Sequence, residues 1–293
     1  MVMISLQPLK RPRKVSIAIP ASIVSDTPHL REKTFKVGTI GRATAIFRVD
    51  EVIIYPDLPQ IDQSRDTTFI LRVLSYMETP QYLRKRLFPF EQSLQYVGIL
   101  PPLRTPHHPV ENKLSHLKLG SYREGVVVKS TPHHSLVDIG VEKLVSLDQT
   151  GLPVGERITV KVVEPGGHCR FSLARPEEIE IYWGFRVTVS KLPLGRLVRN
   201  RGADLIIATS RYGVPLSEVE DSLRKRWKTA KNVLVAFGAP AEGLREILLH
   251  ENLKLEEVAH FTVNTVPMQG TETVRTEEAI YASLAVLNMV IGE

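Results

Sequence analysis

The feature that most narrows the fold is an interruption. Between residues 122 and 174 the chain carries five short β-type segments, at 123–131, 135–139, 143–147, 157–163 and 170–174, with no helical periodicity. Gly140, Gly151, Gly155 and Pro165-Gly166-Gly167 punctuate them. Strands this short and this evenly spaced build a small antiparallel β-barrel. On both sides of that stretch the pattern is different: apolar strand-like runs alternate with amphipathic helical ones, the order expected of a parallel sheet covered by helices.

The leading half reads β-α-β-α. Residues 15–19 and 51–55 are apolar β-branched runs, the second closed by Pro56. Residues 28–49 have helical content. A second helix, capped by Asp66 or Thr67, sets Phe69, Val73, Leu74 and Met77 on one face and ends at Pro80. After residue 180 the alternation resumes. Residues 182–190, 204–208, 232–237 and 260–263 are strand-like. Ser217 and Glu220 have capping-box spacing before a helix that aligns Val219, Leu223 and Trp227. A further helix runs through Leu249. Thr276 is expected to cap a closing helix that buries Ile280, Leu284, Leu287 and Ile291, with Glu277 and Glu278 at its positive end. The leading half alone has too few strands for a stable doubly wound sheet, but the two flanks together supply about six. The expected architecture is therefore α/β: residues 1–92 and 180–293 form one discontinuous parallel-sheet domain, and residues 93–179 form an inserted β-barrel domain. The insert opens on a boundary rich in breakers, Gly98, Pro101, Pro102, Pro106 and Pro109.

Composition bounds the function. Of 293 residues, 43% are hydrophobic and 24% charged, which excludes a disordered, collagenous or coiled-coil chain. The single cysteine, Cys169, allows no internal disulfide and no cysteine-rich zinc site, and fits a reducing compartment. No apolar run approaches the roughly 20 residues of a membrane span. Lys10, Arg11, Arg13 and Lys14 follow the N-terminal apolar residues instead of preceding them, unlike a signal peptide, so a cytoplasmic location is expected. The net charge of +6 leans toward an acidic partner such as nucleic acid. It gathers in three runs: Lys10, Arg11, Arg13 and Lys14; Arg84-Lys85-Arg86; and Arg224, Lys225, Arg226, Lys228 and Lys231. Each run reads either as phosphate-contacting or as a solvated face.

Three segments follow the carboxyl ends of successive strands, the edge where open α/β sheets bind ligands. They are Thr209-Ser210-Arg211-Tyr212-Gly213, Phe237-Gly238-Ala239-Pro240-Ala241-Glu242-Gly243 and Asn264-Thr265-Val266-Pro267-Met268-Gln269-Gly270-Thr271. Their small residues let backbone groups approach a ligand closely. Taken singly each is an ordinary turn; in three successive units they suggest one site. No Gly-x-Gly-x-x-Gly follows the first strand, and Pro165-Gly166-Gly167 lacks the Lys-Ser/Thr of a phosphate loop, so the ordinary dinucleotide and P-loop readings fall away. Thr-Pro-His-His occurs at 105–108 and 131–134, and with His116 and His168 puts six of the nine histidines in the insert. Adjacent imidazoles diverge where metal ligation needs convergence, so no metal is expected.

Phe237-Gly238 with Gly243, the run from Asn264 to Thr271, and Val274-Arg275-Thr276-Glu277-Glu278-Ala279 together resemble the SPOUT class of RNA methyltransferases. In detail the chain looks like the archaeal and eukaryotic branch of that class, whose knotted domain carries an inserted OB-like domain. The resemblance implies a trefoil knot, rare among proteins, in the parallel-sheet domain. It also implies S-adenosylmethionine as cofactor, a homodimer, and a ribosomal RNA substrate, with uridine N3 as the acceptor. Cofactor contacts would fall on Thr209, Ser210, Phe237, Gly238, Gly243, Val263, Asn264, Pro267, Gln269, Gly270 and Thr271. Arg42, Arg211 and Arg275 would face substrate charge, Arg42 from the dimer-related subunit. The alternatives are a non-catalytic RNA-binding or ribosome-assembly factor on the same fold, and an α/β enzyme with another small ligand.

Overall fold

The computed structural model describes residues 7–166 and 169–292. In chain order its first elements are β1 (Lys14–Pro20), α1 (Leu30–Ile46), β2 (Glu51–Tyr55), α2 (Ser64–Glu78), α3 (Gln81–Leu87), β3 (Tyr122–Ser130), β4 (Ser135–Asp138), β5 (Val145–Leu147), β6 (Arg157–Glu164) and β7 (Arg170–Leu173). There follow β8 (Arg186–Val189), α4 (Leu194–Arg201), β9 (Leu205–Pro215), α5 (Leu216–Thr229), β10 (Asn232–Ala236), α6 (Leu244–Leu249), α7 (Leu255–Val258), β11 (Phe261–Asn264) and α8 (Thr276–Ile291). The described residues divide into two units. One gathers residues up to 10, 79–91 and 102–184; the other gathers 11–78, 92–101 and 185 onward.

The second unit is built on a six-stranded, wholly parallel sheet in the order β11-β9-β10-β1-β2-β8. Helices cover both faces of such a sheet, so its central strands read as unbroken apolar runs. β1 obeys this: every residue from Val15 to Pro20 is buried, and β2 is buried throughout. The first unit is a five-stranded antiparallel sheet, β5-β4-β3-β6-β7, whose outer strands β5 and β7 come together so that it curls into a nearly closed barrel. Its core is Val127, Val137, Ile139, Val160, Val162 and Phe171. Glu124 on β3 is buried and accepts from Arg157 Nε at 2.6 Å, Thr159 Oγ1 at 2.6 Å and Trp183 Nε1 at 2.5 Å. Buried charge of this kind is tolerated because its acceptor capacity is filled.

The strands lie near where the pattern puts them, except that β9 runs on to Pro215 through the residues expected as a loop; several helix ends also differ. α2 begins at Ser64, before the expected cap. Asp62 Oδ1 accepts from Ser64 N at 2.9 Å, while Asp66 sits in the first turn and pairs with Lys33 at 3.3 Å. The Ser217–Glu220 capping box does not form. β9 runs on to Pro215, so α5 starts at Leu216 with no side-chain cap, and Glu220 pairs instead with Arg224 at 2.6 Å. Thr276 is the first residue of α8, not its cap; the backbone N–H of Arg275 donates to Glu278 Oε2 at 2.9 Å. The buried face of α8 includes Val290 in place of Ile291. Helices α3, α4 and α7 have seven, eight and four residues, too few turns for a period to be readable. Residues 92–101 pack with the sheet unit because Leu100 fills the notch over Gly38, where a Cβ would lie 2.3 Å from Leu100 Cδ2.

Candidate active site

The three expected segments meet at the carboxyl edge of β9, β10 and β11. The first is not the simple loop anticipated. β9 pairs with β11 in two pieces, Phe261↔Ile207 and Thr262↔Ala208, then Val263↔Val214 and Asn264↔Pro215. Residues 209–213 therefore leave the ladder and return to the same neighbour. Gly213 makes the return possible. A Cβ there would lie 2.6 Å from the carbonyl carbon of Val263 and 2.8 Å from Thr262 O, both main-chain atoms. Within the excursion Thr209 Oγ1 donates to Ala236 O at 2.9 Å, and Tyr212 N donates to Ser210 Oγ at 3.2 Å. Arg211 lies over the Tyr212 ring at 4.7 Å and donates from Nη1 to Glu272 O at 3.0 Å. Asn264 Nδ2 donates to Arg211 O at 2.9 Å, joining the first segment to the third.

The second segment is pinned from below. Phe237 N donates to Ala18 O at 3.0 Å, and the buried Tyr55 hydroxyl donates to Phe237 O at 2.7 Å. Burial pushes the Tyr55 phenol well above its ordinary range, aided by the nearby Asp57 and Glu251 charges, so it stays a donor. Ala239 N donates to Glu242 O at 2.8 Å and closes the turn. A Cβ on Gly238 would stand 3.1 Å from Gly243 Cα, so the two glycines let the loop fold onto itself. Thr276 Oγ1 donates to Gly238 O at 3.2 Å and ties the start of α8 to this loop. In the third segment Val266 N donates to Asn264 Oδ1 at 2.9 Å, and Gln269 Nε2 donates to Thr271 O at 2.9 Å. Thr265 Oγ1 and Ser283 Oγ share a hydrogen bond of 2.8 Å.

These segments enclose a cleft of about 540 Å³. Of the expected contact residues, Thr209, Ser210, Phe237, Gly238, Gly243, Asn264 and Gln269 line it, as do Arg211 and Arg275. Val263 does not; it is fully buried in β11. Pro267, Gly270 and Thr271 are exposed on the same loop without lining the cleft. Arg42 is on α1 outside it, beside Tyr281 of α8: burial raises that phenol, and the hydrogen bond and charge of Arg42 partly offset the rise.

The cleft also holds residues that the sequence did not single out. Asp26, just past β1, accepts from Lys36 Nζ at 2.7 and 2.8 Å, and Lys36, only 5% exposed, lies 3.5 Å from Glu277. Burial pushes the Asp26 carboxyl up, but the bonds and charge from Lys36 and Thr27 outweigh it and hold the group below its usual range. Glu242 and Glu246 add two carboxylates, Glu242 bonded to His250 Nε2 at 2.8 Å. The sheet order supplies the missing signal: β1 lies beside β10, so the turn after β1 opens on the same edge.

The barrel unit carries a small aromatic group. Trp183 meets Tyr122 and His107 with ring centroids 5.9 Å apart in both cases, and Lys161 Nζ lies 5.5 Å over Tyr122. The second Thr-Pro-His-His is a turn in which Thr131 Oγ1 donates to His134 O at 2.7 Å. Cys169 Sγ is 3.1 Å from Gly166 O; His168 lies outside the described residues. Among the described residues no group of three His, Cys, Asp or Glu could hold a metal ion, and no helix is long and apolar enough to cross a membrane.

A family model described as "Putative RNA methyltransferase" matches residues 14–287. The chain is 33% identical over 307 residues to the 28S rRNA (uridine-N(3))-methyltransferase of Mus musculus, covering 94% of this chain and 76% of that one. It is also 33% identical to the protein of the same name from Drosophila melanogaster, with 94% of this chain matched but only 62% of the fly protein's length. An uncharacterized protein of Halobacterium salinarum is 34% identical and is matched over 98% of its length.

Proposed function

Because the chain belongs to the RNA methyltransferase family whose model spans residues 14–287, we propose that it transfers a methyl group from S-adenosylmethionine to a uridine N3 of ribosomal RNA, the cleft holding the cofactor. The observation that carries this reading is the convergence of three successive post-strand segments on one cleft of about 540 Å³, within the range of small-molecule sites. The cleft fits that cofactor's parts. Phe237, Ala239, Pro240 and Val266 offer an apolar bed for an adenine ring, with main-chain groups beside it. Arg211 and Arg275, with Asp26, Glu242 and Glu246, offer both signs of charge for an amino-acid tail. The close pack of Gly238 on Gly243 keeps side chains out of the loop.

The cofactor would supply an electrophilic methyl group already activated by its sulfonium. The chain's part is to hold the acceptor in line and stabilise the anion left when N3 loses its proton. Arg211, held over Tyr212 and bonded to Glu272 O, and Arg275 at the head of α8 are the cations at the cleft suited to that.

The domain assignment belongs to the same reading: a knotted SPOUT-type domain from residues 1–92 and 180–293, and an OB-like insert at 93–179 that grips RNA; the compact units differ from these bounds in that residues up to 10, 79–91 and 180–184 gather with the barrel and 92–101 with the sheet. The knot of that reading would thread the C-terminal segment, whose Thr276 is bonded to Gly238 O, through the loop after β10. A homodimer is supported by α1 and α8, which pack together yet leave Phe35 59%, Ile46 48% and Met289 75% exposed. A second copy on that face would bring Arg42 to its partner's cleft. The location proposed is cytoplasmic.

Calorimetry with S-adenosylmethionine, followed by nucleoside mass spectrometry of ribosomal RNA treated with protein and cofactor, tests this. Micromolar binding and a new 3-methyluridine peak are expected. No heat at millimolar cofactor refutes the reading, and cofactor binding without any methylated nucleoside favours the non-catalytic alternative.

A further inference from the structure

Two basic runs more than two hundred residues apart in sequence come together at the edge of the sheet opposite the cleft. Because all six strands are parallel, their first residues share one edge. Lys14 opens β1, Arg186 opens β8, and Lys231 immediately precedes β10. Lys14 N donates to Lys231 O at 2.8 Å, and Arg13 donates from Nε to Ala230 O and from Nη2 to Lys228 O, both at 3.3 Å. The carboxyl-terminal turns of two helices end at the same edge and add Arg226 and Lys228 from α5 and Arg199 and Arg201 from α4.

The acids at these strand starts are already engaged. Glu51 is fully buried and is enclosed by Lys14 at 2.8 Å, Arg201 at 2.6 Å and Arg186 at 3.2 Å. Asp204 accepts from Lys231 N at 2.8 Å and Asn232 N at 2.9 Å. Asp50 Oδ2 accepts from Val15 N at 2.8 Å. The helix dipoles favour cations in the last turns of α4 and α5, but they give no reason for Lys231 or Lys14, which stand on strand starts. The side chains of Arg226, Lys228, Lys231 and Arg199 are exposed, and none takes part in a salt bridge among the described residues.

We infer that this edge is a second RNA-contact surface, taking phosphodiester backbone remote from the methylation cleft. The inference rests on the RNA substrate proposed above. Neighbouring strands are about 4.8 Å apart, so the cations at the starts of β8, β1 and β10, with the buried Glu51 of β2 between the first two, spread over about 14 Å. That is a row suited to a polyanion of regularly spaced charges, not to one small anion. The contact would carry no base readout. It would anchor structured RNA while the target nucleotide reaches the other edge of the sheet, about 17 Å away along a five-residue strand.

The test is the salt dependence of binding of a ribosomal RNA fragment to the full chain, wild type against Arg226→Gln/Lys228→Gln/Lys231→Gln. Each lost phosphate contact lowers the slope of log K against log salt by about 0.7 to 0.9, so a fall of about two is expected, with unchanged calorimetric affinity for S-adenosylmethionine. Lys228→Arg/Lys231→Arg keeps the charge and should keep the wild-type slope. A triple variant that melts like wild type and retains the wild-type slope overturns the inference. Binding of the edge to phosphatidylserine vesicles, with RNA affinity unaffected by the triple variant, overturns it too. Wild-type protein that binds no RNA at all would instead refute the proposed function.

Discussion

Gly213→Ala isolates the steric condition on which the cleft depends. The glycine's φ lies outside the left-handed region, so the substitution adds only volume. The new methyl would stand 2.6 Å from Val263 C, 2.8 Å from Thr262 O and 2.9 Å from Asn264 N. All three atoms belong to the β11 main chain, so no rotamer change relieves the overlap. Overpacking of this kind costs about 1–3 kcal/mol. The stiffer unfolded chain returns about 0.4–1 kcal/mol. A net loss of about 1–2 kcal/mol is expected, which is a melting shift of about 2–8 °C for a unit of this size. Moving β11 away from β9 also strains the Asn264 bond to Arg211 O, now 2.9 Å, so cofactor binding should weaken about tenfold or more. Differential scanning fluorimetry and calorimetry with S-adenosylmethionine read the two effects. A variant as stable as wild type, with unchanged affinity, would refute the claim that the excursion at 209–213 can close only over a bare backbone.

Tyr55→Phe removes the hydroxyl bonded to Phe237 O at 2.7 Å and leaves a buried carbonyl unmatched; a loss of about 1–3 kcal/mol is expected in thermal melts, together with weaker cofactor binding. Glu51 is held below the ordinary glutamate range: burial raises it, but the bonds from Lys14 and Thr188 and the charges of Lys14 and Arg201 outweigh that. A depressed carboxyl adds stability that is full above its unfolded value and disappears as pH falls through its folded one. Glu51→Gln should therefore cost about 1–3 kcal/mol at pH 7, less than a fully enclosed pair because Lys14 and Arg186 reach water. The gap to wild type should close as urea melts are taken down below the glutamate range; a pH-independent gap would rule out the charge as its source. Gly140→Ala puts a methyl 2.2 Å from the Tyr82 ring at φ +76°, so the barrel unit should lose about 2–4 kcal/mol. Unfolding followed by Trp183 fluorescence in a Trp227→Phe background reads that loss.

The legible part of this chain is the part governed by local periodicity. Short apolar runs such as 15–19, 51–55 and 232–236, rich in β-branched residues, read as strands buried on both faces, and the alternation at 157–163 as a strand buried on one. The three segments at 209–213, 237–243 and 264–271 meet at one cleft because loops after parallel strands open on one edge whatever the strand order. Helix starts were less legible. Ser217 and Thr276 have the right chemistry for caps, yet Pro215 continues β9 to the helix itself, and Thr276 turns its hydroxyl to Gly238 O. A side chain with two possible partners is assigned by whichever the fold brings nearer.

What the sequence determined by itself was therefore the kind of each unit: a helix-covered parallel sheet in two pieces and a small β-barrel between them. Only the tertiary structure decided which distant residues share a place. β1 lies between β10 and β2, and that puts Asp26 in the cleft with Glu242 and sets Lys14 against Lys231 at the opposite edge. Strand order follows from the summed burial of all the faces at once, and nothing in the local run of residues around Asp26 or Lys14 encodes its neighbour.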